Sequence, residues 1–466
     1  MGPGDEPDVV VIGGGPTGEN AAQYALDGGL SAVLVEGELL GGECSYYACM
    51  PSKALLRPVD ILHTAQHLPG AVGARLDPAT LLARRDAWVS HYDDHGQERW
   101  AAGAGIGVVR GHGRLSAPRT VTVTNPDGEQ RTLRAGTAVV IATGSEAVVP
   151  AEFEAVEPWT SRDATGVTEV PESLLIVGGG VVAVEAATWL AALGSQVTLL
   201  VRGQRLLAGL EPFAGELVAA GLREAGVRVE FGAHIAAAAR PRAEATGLGR
   251  VHGGPVSVDL ADGRSLTAAE VLVAAGRRPR LAHVGLEAVG LDAAAVAAGR
   301  LPDWLHVIGD AGTGAPLTHM GKYEARVLGS RLAGATDVPA PADVPVPQVV
   351  FAEPQVAAVG LTEERARERL GAEAVVASEA EFTAAAGAAL LRDDARGRAK
   401  LVIDRRSGAV VGATFAGPEA GELLHAATIA IVGEVPVSRL RHAVPAYPTA
   451  SELWLRLLEA LPRELR

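Results

Sequence analysis

One plan of chain occurs twice. Residues 8–36, DVVVIGGGPTGENAAQYALDGGLSAVLVE, run from a β-branched stretch through a glycine turn and an alanine-rich helical stretch into a second β-branched stretch. Residues 173–202, SLLIVGGGVVAVEAATWLAALGSQVTLLVR, repeat that order. Strand, crossover helix and parallel strand make a βαβ unit, whose handed connection leaves few folds to choose from. Each copy therefore predicts an α/β domain of the dinucleotide-binding kind. In the first, Gly13, Gly15 and Gly18 fit G-x-G-x-x-G. The first glycine permits the tight turn, the second lets the backbone approach a pyrophosphate, and the third packs helix on strand. The helix then points its positive dipole end at the phosphates. Glu36 closes the second strand, 18 residues after Gly18, where a carboxylate accepts hydrogen bonds from an adenosine ribose.

The second copy keeps Gly178 and Gly180 but has Ala183 in the third place, and where Glu36 would fall it has Val201 followed by Arg202. No acid stands there for a free 2′-hydroxyl. Arg202 and Arg205 are either solvated surface residues or the receptors of a 2′-phosphate through charge-assisted hydrogen bonds. The second reading predicts NADPH rather than NADH. Two such folds predict two dinucleotides, one held permanently and one visiting. VVIATGSEAVVP (139–150) reads as a strand ending in a turn at Thr143 and Gly144. LHVIGDAGTGAPL (305–317) reads as another, presenting Asp310 either to a cofactor polyol or as a helix cap. The proline-rich PAPADVPVPQ (339–348) reads as a linker. After it, residues 399–417 alternate like a hairpin and 421–435 read as a buried amphipathic helix, a third domain without a phosphate loop.

At 466 residues the chain has room for about three domains. Its 41 basic against 55 acidic residues give −14, which repels nucleic acid and anionic membranes. No apolar run is long enough to span a bilayer, and the start, MGPGDEPDVVVIGGG, lacks a basic segment followed by an apolar one. The expectation is a cytoplasmic protein with neither partner. Both of its cysteines, Cys44 and Cys49, lie in LLGGECSYYACMPSK (39–53). They are a structural pair, a metal fragment or a redox centre. Two thiolates do not complete a four-ligand zinc site, so no metal is expected, and a reducing compartment favours redox chemistry. An undistorted helix holds residues five apart too far for a disulfide, so a bonding pair requires a break between them.

These motifs together resemble the class I pyridine nucleotide-disulfide oxidoreductases, the family of glutathione reductase, dihydrolipoamide dehydrogenase and mercuric reductase. The likeness covers nearly the whole chain: the Gly13 loop, GGECSYYACMPSK, IATGS at 141–145, the Gly178 loop ending in Glu185, AAGRRP at 274–279, VIGDA at 307–311 and FAEPQVAAVGLTEE at 351–364. The resemblance implies two Rossmann-like domains, for FAD and NAD(P)H, plus a C-terminal α+β domain that forms a homodimer with shared active sites. It places FAD binding in 1–150 and 276–340, NAD(P)H binding in 151–275 and dimerisation in 341–466. By position, Cys44 is the interchange thiol that meets a small-molecule substrate and Cys49 the thiol beside the flavin. Lys53 and Glu185 match the family's ion pair at the flavin's reactive nitrogen.

The chain departs from that pattern at one chemical step. The family ends in His-Pro followed by a glutamate, the histidine serving the interchange thiol as acid and base across the dimer. Here AVPAYPTASELW (443–454) has Tyr447-Pro448, with Glu452 in place. Histidine titrates near 6.5 and tyrosine near 10, so Tyr447 is a poor base at neutral pH. His442, five residues earlier, reads as a surface residue or one with its hydrogen bonds satisfied. Mercuric reductase carries an extra cysteine pair, and this chain has none. Tyr46 and Tyr47, with Ala48, either line a pocket for a planar substrate or fill the core. The expected function is reduction of a small disulfide or related substrate through Cys44–Cys49. The alternatives are direct reduction of a quinone by the flavin, and a non-catalytic binding subunit.

Overall fold

The computed structural model describes residues 5–336 and 344–465. The linker expected at 339–348 lies outside the described residues as far as 343, as does the expected domain boundary at 340/341. Two compact units divide the chain: Met1–Pro51, Arg85–Val148 and Arg277–Val344 form one, and Ser52–Arg84, Val149–Gly276 and Pro345–Arg466 the other.

The first unit is built on the first βαβ repeat, strand β1 (Val9–Ile12), helix α1 (Pro16–Asp27) and strand β2 (Ala32–Glu36). Its five-stranded sheet runs in the order Leu305–Val307, Ala138–Ile141, β1, β2, Gly107–Arg110, and every pairing is parallel. Alternate residues serve opposite faces. Val10, Ile12, Val33, Val35, Val139 and Ile141 meet Leu115, Val121, Val123 and Leu133 of a three-stranded antiparallel meander. Val9, Val11, Leu34 and Val140 meet Ala21, Ala22 and Ala25 of α1 and Ala325 and Leu328 of the helix Thr318–Leu332. Burial on both faces is why these strands read as unbroken apolar runs.

The second unit contains the second repeat in a four-stranded parallel sheet, ordered Arg228–Phe231, Gln196–Val201, Ser173–Val177, Glu270–Val273. A five-stranded antiparallel sheet follows, ordered Gln348–Val350, Gln355–Gly360, Val410–Gly417, Arg398–Asp404, Val375–Glu381. The hairpin read at 399–417 is its antiparallel pair Arg398–Asp404 and Val410–Gly417. The helix Leu424–Val432 buries Leu424 and Ala427 and leaves Ile429 and Val432 more than half exposed. The fold is α/β with two Rossmann-like domains and a C-terminal α+β domain. Among the described residues no helix is long and apolar enough to cross a membrane.

Candidate redox and cofactor sites

Helix α2 (Gly42–Tyr46) carries Cys44 and ends two residues beyond it, and helix α3 (Cys49–Gln66) starts at the second cysteine. Tyr47 and Ala48 lie outside regular helix. This is the break that a bonding pair at this spacing requires. In the structure the two cysteines are thiols, and Cys44 is hydrogen-bonded to Cys49. That hydrogen bond, and then burial, push the Cys44 thiol far above its ordinary value, against weaker downward pulls from the Thr318 hydroxyl and the Lys322 ammonium. The Cys49 sulfur lies 3.3 Å from Thr318 Oγ1. Thr318 opens a 15-residue helix, so the helix's positive end lies on the side of the Cys49 sulfur.

The broken helix separates the two tyrosines. Tyr46 is 2% exposed and donates its hydroxyl to the Leu40 carbonyl at 3.1 Å and to Gln97 Oε1 at 3.0 Å. It fills the core, and burial pushes it up to about 12. Tyr47 stacks on Tyr92, ring centres 5.5 Å apart. Tyr92 ends a run of three residues, Ser90, His91 and Tyr92, all at positive φ, a conformation that costs bulky residues energy and concentrates near functional sites.

The first glycine loop has the shape a pyrophosphate needs. At Gly13 φ is +105°, and a Cβ there would lie 2.4 Å from the Ala142 carbonyl oxygen. Gly15 caps α1, and Gly18 is buried in its first turn. Glu36 accepts the Gly14 N–H at 2.7 Å on one carboxylate oxygen and the Glu38 N–H at 2.6 Å on the other. Each oxygen keeps a lone pair for a ribose hydroxyl. Asp310 accepts from Ser145 Oγ at 2.8 Å through Oδ2, and Ser145 in turn accepts from Arg277 Nε at 2.8 Å. Thr143 donates to the Arg280 carbonyl at 2.7 Å, and Gly144 turns the chain at φ +73°. Glu324, unmarked in the sequence, fixes the turn before Asp310 by accepting the Gly309 N–H at 2.8 Å. These residues fit an FAD. Gly13, Gly15 and Gly18 would face its pyrophosphate, Glu36 its ribose and Asp310 its polyol.

The second loop repeats the geometry. Gly178 has φ +139°, with a Cβ position 2.4 Å from the Ala274 oxygen. Gly180 caps the helix Val181–Ala192, in which Ala183 is buried. Arg202 is exposed just past the strand, while Arg205 donates to the Ala208 carbonyl at 3.0 Å. On the same helix Glu185 is 3% exposed. Its Oε2 is 2.7 Å from Lys53 Nζ and its Oε1 accepts the Phe351 N–H at 2.9 Å. Lys53 also stands 4.8 Å above the centre of the Phe351 ring.

Tyr447 is 77% exposed. Glu452, at the start of the helix Glu452–Glu459, is buried, and its Oε2 has no partner among the described residues. His442 is exposed. The residues around these sites that sequence reading missed are Thr318, Ser145, Arg277 and Glu324. Ser145 and Arg277 sit inside quoted motifs, and the other two carry no local signal.

Two family profiles match the chain. "Pyridine nucleotide-disulphide oxidoreductase" covers residues 7–298, and its dimerisation domain covers 346–457. Dihydrolipoyl dehydrogenase of Bacillus subtilis (strain 168) is 31% identical over 463 residues, 95% of this chain and 96% of that one. Its counterpart in Chlorobaculum tepidum is 32% identical over 462 residues, 96% and 95% of the two chains. The solved Cu(II) complex of the HOCl-induced flavoprotein disulfide reductase RclA from Escherichia coli superposes with a TM-score of 0.83 over 98% of this chain and 100% of that one. At 24% identity that likeness bears on the fold.

Proposed function

The chain belongs to the pyridine nucleotide-disulphide oxidoreductase family, and we propose that it reduces a small disulfide with electrons from NADPH, through Cys44 and Cys49, in the cytoplasm. Membership makes it an FAD-dependent NAD(P)H oxidoreductase with disulfide chemistry and, through its dimerisation domain, a homodimer. The overall change is NADPH + H⁺ + RSSR → NADP⁺ + 2 RSH. In this reading 1–150 and 276–340 hold FAD, 151–275 holds the nicotinamide nucleotide and 341–466 forms the dimer contact.

FAD, when bound, supplies the two-electron link between the nicotinamide and the cysteine pair. Gly178 and Gly180 let the backbone approach the visiting pyrophosphate, and Arg202 and Arg205 take its 2′-phosphate. Lys53 and Glu185 take the role of the family's ion pair. Cys49 holds negative charge against the Thr318 hydroxyl and the helix behind it, and Cys44 gives up its proton to attack the substrate disulfide. The mixed disulfide is then resolved by Cys49, which restores the Cys44–Cys49 bond and releases the second thiol. Tyr447 takes the position in the sequence at which the family has its histidine, five residues before Glu452.

The observation that carries this reading is the pair of facing thiols across a broken helix, one of them on Thr318. Direct flavin-to-quinone transfer is not favoured, since it gives that arrangement no task. Anaerobic NADPH titration of the FAD-loaded protein should raise the long-wavelength band of a thiolate beside oxidised flavin. NADPH oxidation with lipoamide, glutathione disulfide or other small disulfides should be lost in Cys44→Ser. Absence of the band, or quinone turnover that Cys44→Ser leaves intact while disulfides give none, would overturn it.

A further inference from the structure

Arg202 and Arg205 lie on the loop between the strand Gln196–Val201 and the helix Pro212–Glu224, and that loop is pinned at two points. In its middle, the Leu207 N–H donates to the Gly179 carbonyl at 2.8 Å, so the loop hangs on the turn between Gly178 and Gly180. Leu207 has φ +50° and is 5% exposed, a left-handed backbone that costs a leucine energy and persists only where its surroundings hold it. At the loop's end, Glu211 is 3% exposed. Its Oε1 accepts the Glu363 N–H at 2.7 Å, and its Oε2 accepts from Lys400 Nζ at 3.1 Å. Lys400, on the strand Arg398–Asp404, also lies 2.9 Å from Glu363 Oε2 and from Glu379 Oε1, and 5.9 Å from the centre of the Phe213 ring. Between the two pins, the Ala208 carbonyl accepts from Arg205 at 3.0 Å, which ties that guanidinium to the pinned segment.

We propose that Lys400 is a positioning residue for nucleotide choice: by holding Glu211 it fixes the loop on which Arg205 receives a 2′-phosphate. This rests on the 2′-phosphate reading of Arg202 and Arg205 above. Lys400 acts through Glu211 and the backbone that follows Arg205. Burial works against its ammonium, but hydrogen bonds to Glu363, Glu379 and Glu211 keep the proton above the ordinary lysine range, so the clamp stays charged at neutral pH. Without it, Glu211 is a buried carboxylate with one neutral donor, a costly arrangement that is relieved when Glu211 turns to water and draws residues 208–211 with it. The bond from Leu207 to Gly179 survives that movement, so the pyrophosphate turn keeps its shape while Arg205 leaves its place.

The test is calorimetric titration of the FAD-loaded, oxidised protein with adenosine 2′,5′-bisphosphate and with adenosine 5′-monophosphate, which differ only in the 2′-phosphate. Lys400→Met should lower the bisphosphate-to-monophosphate affinity ratio about tenfold, the worth of one charge-assisted hydrogen bond, and leave monophosphate binding nearly unchanged. Arg205→Ala should lower the ratio about as much, and Lys400→Met/Arg205→Ala should lower it no further, since both act on one contact. In Lys400→Met/Glu211→Gln no unpaired carboxylate is buried at position 211, so the melting temperature should recover towards wild type while the ratio stays low. A Lys400 that only stabilises the fold predicts a lower melting temperature with an unchanged ratio, or a ratio that recovers together with stability in the double variant; either result overturns the proposal. If Arg205→Ala and Arg202→Ala together leave the ratio unchanged, the 2′-phosphate reading falls and this inference with it, whereas a ratio that responds to the arginines and not to Lys400 sinks this inference alone.

Discussion

Replacing Lys53 by Met should destabilise the second unit more than replacing its partner Glu185 by Gln. The Glu185 carboxylate is 3% exposed and has two partners, Lys53 Nζ at 2.7 Å and the Phe351 N–H at 2.9 Å. Without Lys53 a buried charge is left with one neutral donor. Breaking a buried pair in this way costs about 3–5 kcal/mol. The Lys53 side chain is 36% exposed, so water enters in its place and the cost falls to the lower end, ~3 kcal/mol. Glu185→Gln leaves an ammonium that water reaches and keeps an acceptor for Phe351, and should cost about 1 kcal/mol. In Lys53→Met/Glu185→Gln no charge remains buried, so the double variant should lie above Lys53→Met alone, with a coupling of roughly 2 kcal/mol. Melting temperatures of the FAD-loaded proteins at fixed concentration measure this. At about 2–4 °C per kcal/mol, Lys53→Met should lose roughly 6–12 °C. Equal losses for the two single variants, or additive losses in the double, would refute the picture of a charge that Lys53 compensates.

Glu36→Ala removes the acceptor of the Gly14 and Glu38 N–H groups, and hydrogen bonds to a charged group are worth about 1.5–3 kcal/mol. The FAD dissociation constant, followed by flavin fluorescence, should rise at least tenfold. Arg202→Ala with Arg205→Ala should lower kcat/KM for NADPH at least tenfold and leave NADH nearly unchanged; equal losses for both nucleotides would argue against 2′-phosphate recognition. Lys400 lies 2.9 Å from Glu363 and from Glu379 and 3.1 Å from Glu211. Its hydrogen bond is the largest influence holding the Glu363 carboxyl below the ordinary range. A carboxylate held low in the folded state adds stability that is present above its unfolded pKa and lost as pH falls through the folded one. The stability gap between wild type and Lys400→Met, by urea unfolding, should therefore be full at pH 7 and shrink below about pH 4.3; a gap constant with pH would contradict it.

The architecture was legible because its strongest signals are local. A turn such as Gly13, at φ +105° with its Cα against the Ala142 carbonyl, excludes every residue with a side chain, so the glycine itself reports the geometry. Strands buried on two faces need apolar residues at every position, and β1 and β2 have them. The antiparallel sheet of the second unit announced only one of its hairpins, because Gln348–Val350 and Gln355–Gly360 are short and join the sheet through Val410–Gly417, far along the chain.

The site was legible only where chemistry and spacing coincide, as in Cys44 and Cys49. Thr318 reaches Cys49 from 269 residues away, and nothing around it in the sequence marks that contact. Glu19 illustrates the limit more sharply. An acid in the first turn of a helix reads as a favourable partner of the helix dipole, and only the packing of the helix Thr318–Leu332 against α1 converts it into a buried carboxyl near neutrality. Tyr46 and Tyr47 are adjacent and identical, so sequence alone assigned them one fate. The break in the helix after Tyr46 gives them two, sending one hydroxyl into the core beside Leu40 and the other ring onto Tyr92. The same break brings the two thiols face to face, so the feature that hid the tyrosines' roles is the one that makes the cysteine pair chemically useful.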